Sequence, residues 1–336
     1  MRGARGLFTL ALCVAGGWPL QLAAEPAIGQ FELKDLENEA GEVELQSQNA
    51  YTLGQPRRRL TETSPGVFAY DDNSVTRQRH ALEIEMTMTS FFRMRVGVEF
   101  EKERFDEPAS PSQADGFAAL ELTEVAVEGV VIVKPIPESG GIGFGLLSEF
   151  EHPLAREELN SILFGPILGA RSGAWSGLLN VMFIRHFGSG ETGEDAPARD
   201  DKWDIGYAAQ IKYDWQPSWA LALEAYGTFD RIGSSGIPGE GAEIFGDHDQ
   251  HRAGPVIYRE WRVGAGDRAE GRGRQRSSRS LVKASSLDGE DDRKDARKHN
   301  DDDEEGALVR LGTGVLFGLN DNTPNTTLKL SVEVEF

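Results

Sequence analysis

The chain has 336 residues, a formal net charge of −20 at pH 7 and a single cysteine. An acidic excess of this size argues against nucleic acid as a partner. After the first 24 residues no apolar run reaches the 20 or so residues of a membrane-spanning helix, which excludes a helical membrane protein. The low mean hydropathy of −0.40 and the 39 glycines suit a membrane β-barrel, in which polar residues alternate with lipid-facing ones.

Residues 1–24 have the pattern of a cleaved secretory signal peptide. Two arginines precede a short apolar stretch, and small residues favour cleavage after Ala23 or Ala24. Because Cys13 lies inside this stretch, the mature chain would have neither a disulfide nor a thiolate site. We expect residues 25–40 to form a periplasmic N-terminal segment.

Residues 41–336 alternate apolar and polar side chains in repeated segments, the period of a β-strand with one lipid-facing side. The pattern predicts twelve strands, at 42–51, 81–89, 92–101, 120–132, 142–151, 160–168, 175–185, 203–213, 219–227, 251–262, 308–319 and 326–336. A slip in phase near Glu124 indicates a β-bulge. The predicted fold is an all-β, antiparallel, up-and-down transmembrane barrel of about twelve strands, an even number as in single-chain bacterial barrels.

The last segment, Thr326 to Phe336, carries the clearest signal. Five apolar residues occupy every second position, and polar or charged residues lie between them. The run resembles the closing strand of bacterial outer-membrane barrels, in which a final phenylalanine marks the chain for assembly. We therefore interpret Phe336 as an assembly signal, read by the barrel-assembly machinery. A soluble edge strand shows the same alternation, but short turns at one end and long loops at the other favour the membrane barrel.

Residues 263–306 break the pattern. An arginine-rich stretch passes into an acidic one, with almost no apolar residues to form a core. We expect a charged, low-complexity, disordered insertion.

The inward faces of the predicted strands carry mixed charges separated by glycines. Such a surface keeps a barrel interior wet, whereas a filled barrel needs bulky side chains there. We interpret these residues as a charge filter: Arg93, Arg95, Glu83, Glu85, Glu99, Glu149, Asp204, Lys212, Glu224, Arg310, Lys329 and Glu333. The alternative is that these charges pair with one another and occlude the lumen.

Two other residue sets suggest chemistry. His186 and Ser189, with Asn180 on the preceding strand, resemble the serine–histidine sites of outer-membrane lipid hydrolases, although no motif fixes their geometry. Weak metal-ligand candidates cluster at an external strand end: Asp247, His248, Asp249 and His251. So short a run rarely converges on one ion, and we predict no metal, no cofactor and no catalytic residue.

Several blocks carry a family resemblance. They are 251–258 (HRAGPVIY), 312–319 (GTGVLFGL), 322–329 (NTPNTTLK), 143–146 (GFGL) and 164–167 (FGPI). These blocks are similar to uncharacterised proteobacterial outer-membrane proteins, some of them putative transporters of the meta-cleavage (MetA) pathway of phenol degradation. The resemblance implies a barrel fold and a transport role and supplies no catalytic or ligand residues, and 263–306 departs from it.

These observations predict an outer-membrane channel or putative transporter that passes a small solute by passive or substrate-biased diffusion through a polar lumen. Its expected partners are outer-membrane lipids, the assembly machinery and the solute. The alternatives are a lipid-modifying hydrolase with a rim serine–histidine site and a structural or adhesion barrel with an occluded lumen.

Overall fold

The computed structural model describes residues 31–57, 60–64, 67–70, 75–105, 114–154, 159–188, 202–230, 232, 249–263 and 306–336. These residues form fourteen β-strands. Their bounds are β1 (Val43–Leu53), β2 (Leu60–Ser64), β3 (Val67–Tyr70), β4 (Thr76–Thr89), β5 (Phe92–Glu103), β6 (Glu121–Lys134), β7 (Gly141–Pro153), β8 (Asn160–Ser172), β9 (Trp175–Phe187), β10 (Lys202–Gln216), β11 (Trp219–Phe229), β12 (Gln250–Val263), β13 (Ala307–Gly318) and β14 (Thr326–Glu335). No helix in the described part of the chain is long and apolar enough to cross a membrane.

Twelve of the strands, β1 and β4 to β14, form one closed antiparallel barrel in which neighbours in sequence are neighbours in the sheet. The ring closes between β1 and β14, which pair from Leu53↔Thr326 to Glu44↔Glu335. Closure leaves no strand edge unpaired, as a membrane-spanning sheet requires. The predicted all-β, up-and-down barrel of twelve strands is confirmed.

Large apolar side chains cover the outward face of the barrel. Examples are Leu82, Ile84, Met86, Leu146, Phe164, Ile211, Leu223, Leu328 and Leu330, all exposed. Tryptophans gather towards one end, where the rings of Trp175 and Tyr213 lie 4.7 Å apart and those of Trp215 and Trp219 stack at 6.5 Å. An apolar band bordered by aromatic side chains is the lipid-facing surface of an outer-membrane barrel. The protein is an outer-membrane β-barrel.

The two ends of the barrel differ in their connections. One end carries the tight turns at 90–91, 173–174 and 217–218, together with Phe336, whose backbone N–H donates to Val43 O at 3.0 Å. We call this the inner end, because short turns face the periplasm in such barrels. The opposite end, which we call the outer end, carries most of the longer connections.

Two local features bear on the predicted strands. The connection from β1 to β4 contains the small hairpin β2–β3, which the sequence analysis missed. In the pair β5–β6, Glu99 faces Glu124 but Phe100 faces Leu122, so Thr123 is the extra residue of a bulge. The predicted phase slip near Glu124 is therefore confirmed.

The hairpin β12–β13 stays in register from Arg252↔Gly318 to Val263↔Ala307. The charged insertion 263–306 thus begins and ends at a paired strand end on the inner side. Residues 264–305 lie outside the described residues, and their predicted disorder stays a prediction.

Residues 31–38, which we call the N-terminal segment, lie inside the barrel. The chain leaves the start of β1 at the inner end, where Gly41 N donates to Thr87 O at 2.9 Å and Thr87 N to Glu42 O at 3.0 Å. It then enters the lumen, the space enclosed by the twelve strands, and contacts side chains from β5 round to β12. The sequence analysis treated 25–40 as a segment outside the barrel; residues 31–38 differ from that expectation.

Candidate functional site: the lumen and its N-terminal segment

All twelve charged residues predicted for the lumen are on inward-facing positions. Nine of them are buried: Glu83, Glu85, Arg93, Arg95, Glu99, Glu149, Asp204, Glu224 and Lys329. The other three, Lys212, Arg310 and Glu333, are half-buried. The alternation of each strand therefore placed these side chains correctly, although their role as a filter stays a prediction.

Asn180 on β9 anchors the backbone of the N-terminal segment. Its Oδ1 accepts from Lys34 N at 2.8 Å, and its Nδ2 donates to Lys34 O at 2.9 Å. Asn180 is 1% exposed, so both bonds form out of contact with bulk solvent. This pairing imitates one rung of a β-ladder and fixes the segment at one height in the barrel.

Ion pairs hold the same part of the segment against β5 and β6. Lys34 Nζ lies 2.6 Å from both Glu32 Oε2 and Glu128 Oε2, and Arg95 Nη1 lies 2.5 Å from Glu32 Oε2. Burial raises the pKa of Glu32, but the positive charges of Arg95 and Lys34 outweigh it and lower that pKa to about 2. Glu32 is therefore ionised at neutral pH and is part of a buried charge network.

Arg93 binds the segment nearer to the inner end. Its Nη1 donates to Asp35 Oδ1 at 2.8 Å and to Glu37 O at 2.9 Å, and its Nη2 donates to Asp35 O at 3.1 Å. A further pair joins Arg171 Nη2 to Glu37 Oε1 at 2.5 Å. Arg93 and Arg95, two of the three arginines that the sequence analysis assigned to a filter, thus both bind the N-terminal segment.

Glycines on β7 and β8 make room for Leu36. A Cβ atom at position 143 would lie 2.8 Å from Leu36 Cδ1, one at 145 would lie 2.7 Å from Leu36 Cδ2, and one at 169 would lie 3.1 Å from Leu36 Cδ1. Ile136, in the turn between β6 and β7, packs in the same place. Gly143, Gly145 and Gly169 therefore form a socket that any larger side chain would fill.

Phe31 ends the described part of the segment. Its ring meets the Tyr226 ring edge-on at a centroid distance of 5.5 Å, and the Arg252 guanidinium lies 4.7 Å from the ring centroid. A small cleft adjoins Phe31 on its outer side, lined also by Ala50, Thr52, Thr76, Arg79, Gln250 and Arg252. The segment thus extends from the inner end past the middle of the lumen.

The lumen wall has an apolar part and a charged part. The apolar part lies on β6 to β9 and consists of Val130, Ile132, Leu147, Leu163, Ile167, Met182 and Ile184, all buried. The charged part includes Arg79, which pairs with Glu99 and Glu101, and Lys329, whose Nζ lies 2.7 Å from Glu224 Oε2. Glu224 also accepts from the hydroxyl groups of Tyr226 and Tyr258. The sequence analysis gave, as its alternative to a charge filter, that the inward-facing charges pair with one another and occlude the lumen.

Acidic side chains outnumber basic ones on the inward faces of the described barrel strands. The acidic set is Glu44, Glu83, Glu85, Glu99, Glu101, Glu124, Glu128, Glu149, Glu151, Asp204, Glu224, Glu260, Glu333 and Glu335. The basic set is Arg79, Arg93, Arg95, Arg171, Lys202, Lys212, Arg252, Arg262, Arg310 and Lys329. A low-dielectric interior with this balance of charged residues favours cations over anions.

At the outer end, His186 on β9 lies between Ser161 on β8 and Asp204 on β10. Its Nδ1 is 2.9 Å from Ser161 Oγ, and its Nε2 is 2.9 Å from Asp204 Oδ2. The sequence analysis grouped His186 with Ser189 and Asn180 instead. Ser189 lies outside the described residues, and Asn180 binds Lys34 six residues away along β9, so that Asn180 does not complete a site with His186.

The proposed metal candidates are only partly described. Asp249 Oδ1 accepts from Asp230 N at 2.7 Å, and His251 Nδ1 lies 3.1 Å from the Tyr207 hydroxyl. Asp247 and His248 lie outside the described residues. Within the part of the chain that the structure covers, no three histidine, cysteine or acidic side chains are grouped so as to hold a metal ion.

No protein-family model matches the sequence, and no curated protein matches it. Solved structures with a similar fold include Omp33 of Acinetobacter baumannii, at 9% identity over 90% of this chain and 99% of that chain, with a TM-score of 0.32. The translocator domain of the autotransporter NalP from Neisseria meningitidis is 8% identical over 89% of both chains, with a TM-score of 0.36. The toluene transporter TodX of Pseudomonas putida is 8% identical over 88% of this chain and 89% of that chain, with a TM-score of 0.32. Values this low say nothing about what this chain binds, and the resemblance to MetA-pathway transporters stays a prediction.

Proposed function

We propose that the protein is an outer-membrane channel or transporter for a small solute, and that the N-terminal segment closes its lumen in this structure. One observation carries the proposal. A piece of chain that belongs to no barrel strand lies in the lumen and is held there largely by hydrogen bonds and ion pairs.

The chemistry of these contacts supports a removable closure. Asn180, Arg93 and Arg95 are polar groups that water can solvate once the segment leaves, whereas its release also uncovers the apolar surfaces against which Phe31 and Leu36 pack. A net hydrogen bond is worth only about 1 kcal/mol when water can replace one partner. Water can therefore replace most of these contacts when the segment moves.

The wall of the lumen supports a substrate-biased passage. Its apolar part on β6 to β9 faces strands rich in charge, which suits a small organic solute with one apolar and one polar side. The acidic excess favours neutral or cationic solutes over anions. The resemblance to putative transporters of the meta-cleavage pathway of phenol degradation agrees with a small, neutral, partly apolar solute.

A reversible crosslink tests the closure directly. The mature chain is expected to lack cysteine, so Leu36→Cys with Gly145→Cys introduces one pair of thiols across the socket. Once Leu36 is shortened, the nearest contact of a Cβ at 145 is Val131 O at 3.0 Å, so the backbone need shift by only a few tenths of an ångström to admit it. We expect this refolded variant to conduct ions in a planar bilayer under reducing conditions and to lose the current on oxidation.

The matched control is the single variant Leu36→Cys, which has no crosslinking partner. Its conductance should not respond to the oxidant. Current that survives oxidation of the double variant would contradict closure by the segment. Absence of current from parent and reduced variants over a range of salts would instead support a structural barrel with an occluded lumen.

A further inference from the structure

The outer mouth of the lumen contains a serine–histidine–aspartate chain that a solute channel does not need. Barrel register creates it, because Ser161 pairs with His186 across β8–β9 and His186 pairs with Lys202, two residues before Asp204, across β9–β10. The two hydrogen-bonded distances, from Ser161 Oγ to Nδ1 and from Nε2 to Asp204 Oδ2, are both 2.9 Å.

The proton positions in this chain follow from the aspartate. A carboxylate only accepts, so neutral His186 must carry its proton on Nε2 and donate it to Asp204. Nδ1 then has a free lone pair and accepts the hydroxyl proton of Ser161. This is the polarity of a serine activated by a general base, with the two ring nitrogens exchanged relative to the serine proteases.

The surroundings keep the three groups in place. Asp204 is 0% exposed, Ser161 is 6% exposed and the His186 side chain is 16% exposed, so the base is the group nearest to solvent. Lys202 Nζ lies 3.4 Å from Asp204 Oδ2, the oxygen that also contacts His186, and it pairs with Asp230 as well. Limited rotamer freedom of this kind is a requirement of a nucleophilic site.

The site is also separate from the closure. Asn180, the anchor of the N-terminal segment, lies six residues from His186 along β9, about 20 Å at 3.3 Å per residue. The side chains of Ser161 and His186 are on inward positions, so they face the lumen and not the lipid. A substrate therefore reaches them from outside the cell through water.

We propose that Ser161, His186 and Asp204 form an esterase site for small, water-soluble esters. Ser161 Oγ attacks the ester carbonyl carbon, and its proton passes to His186 Nδ1. The bond between the carbonyl carbon and the alcohol oxygen then breaks, and the alcohol leaves with that proton. Water, deprotonated by His186, attacks the acyl-serine and releases the carboxylic acid, while Ser161 regains its proton. Asp204 holds the tautomer and stabilises the imidazolium.

Covalent labelling of the refolded full mature chain tests the proposal. A small fluorophosphonate should modify Ser161, located by peptide mass spectrometry, and p-nitrophenyl acetate should be hydrolysed. Ser161→Ala should abolish the label and lower the hydrolysis rate by about 100-fold or more, the usual range for a base-assisted step.

The matched control is Ser331→Ala. Ser331 is also buried and inward-facing, but its register neighbours are Gln48 and Gly312. This variant should keep both label and rate. Asp204→Asn should lower the hydrolysis rate at pH 7 and change the pH profile of that rate. The folded state of the variant is checked by its resistance to SDS before heating, because a purely structural role would not change the pH profile of a folded barrel.

Absence of the label on Ser161 in the folded barrel, or equal rates for Ser161→Ala and Ser331→Ala, would overturn the proposal. Measurement of the bilayer current distinguishes the esterase activity from the channel function. Ser161→Ala should lower ester hydrolysis and leave conductance unchanged. Failure of the esterase proposal can therefore be told apart from failure of the channel proposal.

Discussion

Replacing Asn180 by alanine should release the N-terminal segment without touching the segment itself. The change removes both bonds to Lys34, at 2.8 and 2.9 Å. Water can enter the vacated space and solvate the freed backbone groups, so each lost bond costs about 1 kcal/mol net. The loss of about 2 kcal/mol lowers the docking equilibrium by roughly 30-fold, since 1.4 kcal/mol is tenfold.

Thiol labelling measures this shift. Leu36 is 3% exposed, so a cysteine there reacts with a maleimide only while the segment is released. The chain with Asn180 and the chain with Asn180→Ala both carry Leu36→Cys. The effect of the cysteine substitution on docking therefore cancels when the two labelling rates are compared. We expect labelling about 30-fold faster with Asn180→Ala, in proportion to the released population.

The control for this experiment is Leu179→Ala. Leu179 is the next residue on β9, faces outward and is 37% exposed. Its truncation should leave the labelling rate within about twofold, because an outward side chain has no contact with the segment. Equal rates in the Asn180 and Leu179 variants would refute the anchoring role of Asn180.

Four further outcomes are expected. Gly169→Val fills the Leu36 socket and should raise the bilayer current of the chain that keeps Leu36, because overpacking of about 1–3 kcal/mol favours the released segment by roughly 5- to 140-fold. Because the pKa of Glu32 is lowered to about 2, its contribution to docking is complete above its ordinary value near 4.5 and is lost as the pH falls towards 2, so the labelling rate relative to that of a free thiol at the same pH should rise over this range. Leu223→Arg puts a charge on an outward position that is 59% exposed and should destabilise the barrel by about 2–4 kcal/mol in urea unfolding from vesicles. Deletion of Phe336 should lower the amount of assembled protein in outer-membrane fractions, and normal amounts would count against its role as an assembly signal.

Local alternation was sufficient to predict the barrel strands. The predicted strand 92–101 lies within β5, and the predicted strand 203–213 lies within β10. The same period assigned Arg93, Arg95 and Glu83 to the inward face. This works because each strand is solvated by lipid on one side only, so the sequence must alternate at every crossing. The hairpin β2–β3 escaped prediction because strands of five and four residues outside the membrane need no such face.

Contacts between distant strands could not be predicted in this way. Residues 31–38 (FELKDLEN) alternate apolar and polar side chains only over the first four positions, too few for a membrane-crossing strand, and their partner Asn180 is 146 residues from Lys34. The sequence analysis joined His186 to Ser189 because they are close in sequence. The structure joins it to Ser161 and Asp204, which only the register of three adjacent strands brings together.

The central claim is that residues 31–38 close a lumen that can conduct. The most direct measurement is the bilayer current of the Leu36→Cys, Gly145→Cys protein before and after reduction. The account predicts little or no current from the oxidised protein and discrete conducting steps after reduction. Equal current in both states, with the crosslink confirmed by mass spectrometry, would contradict it.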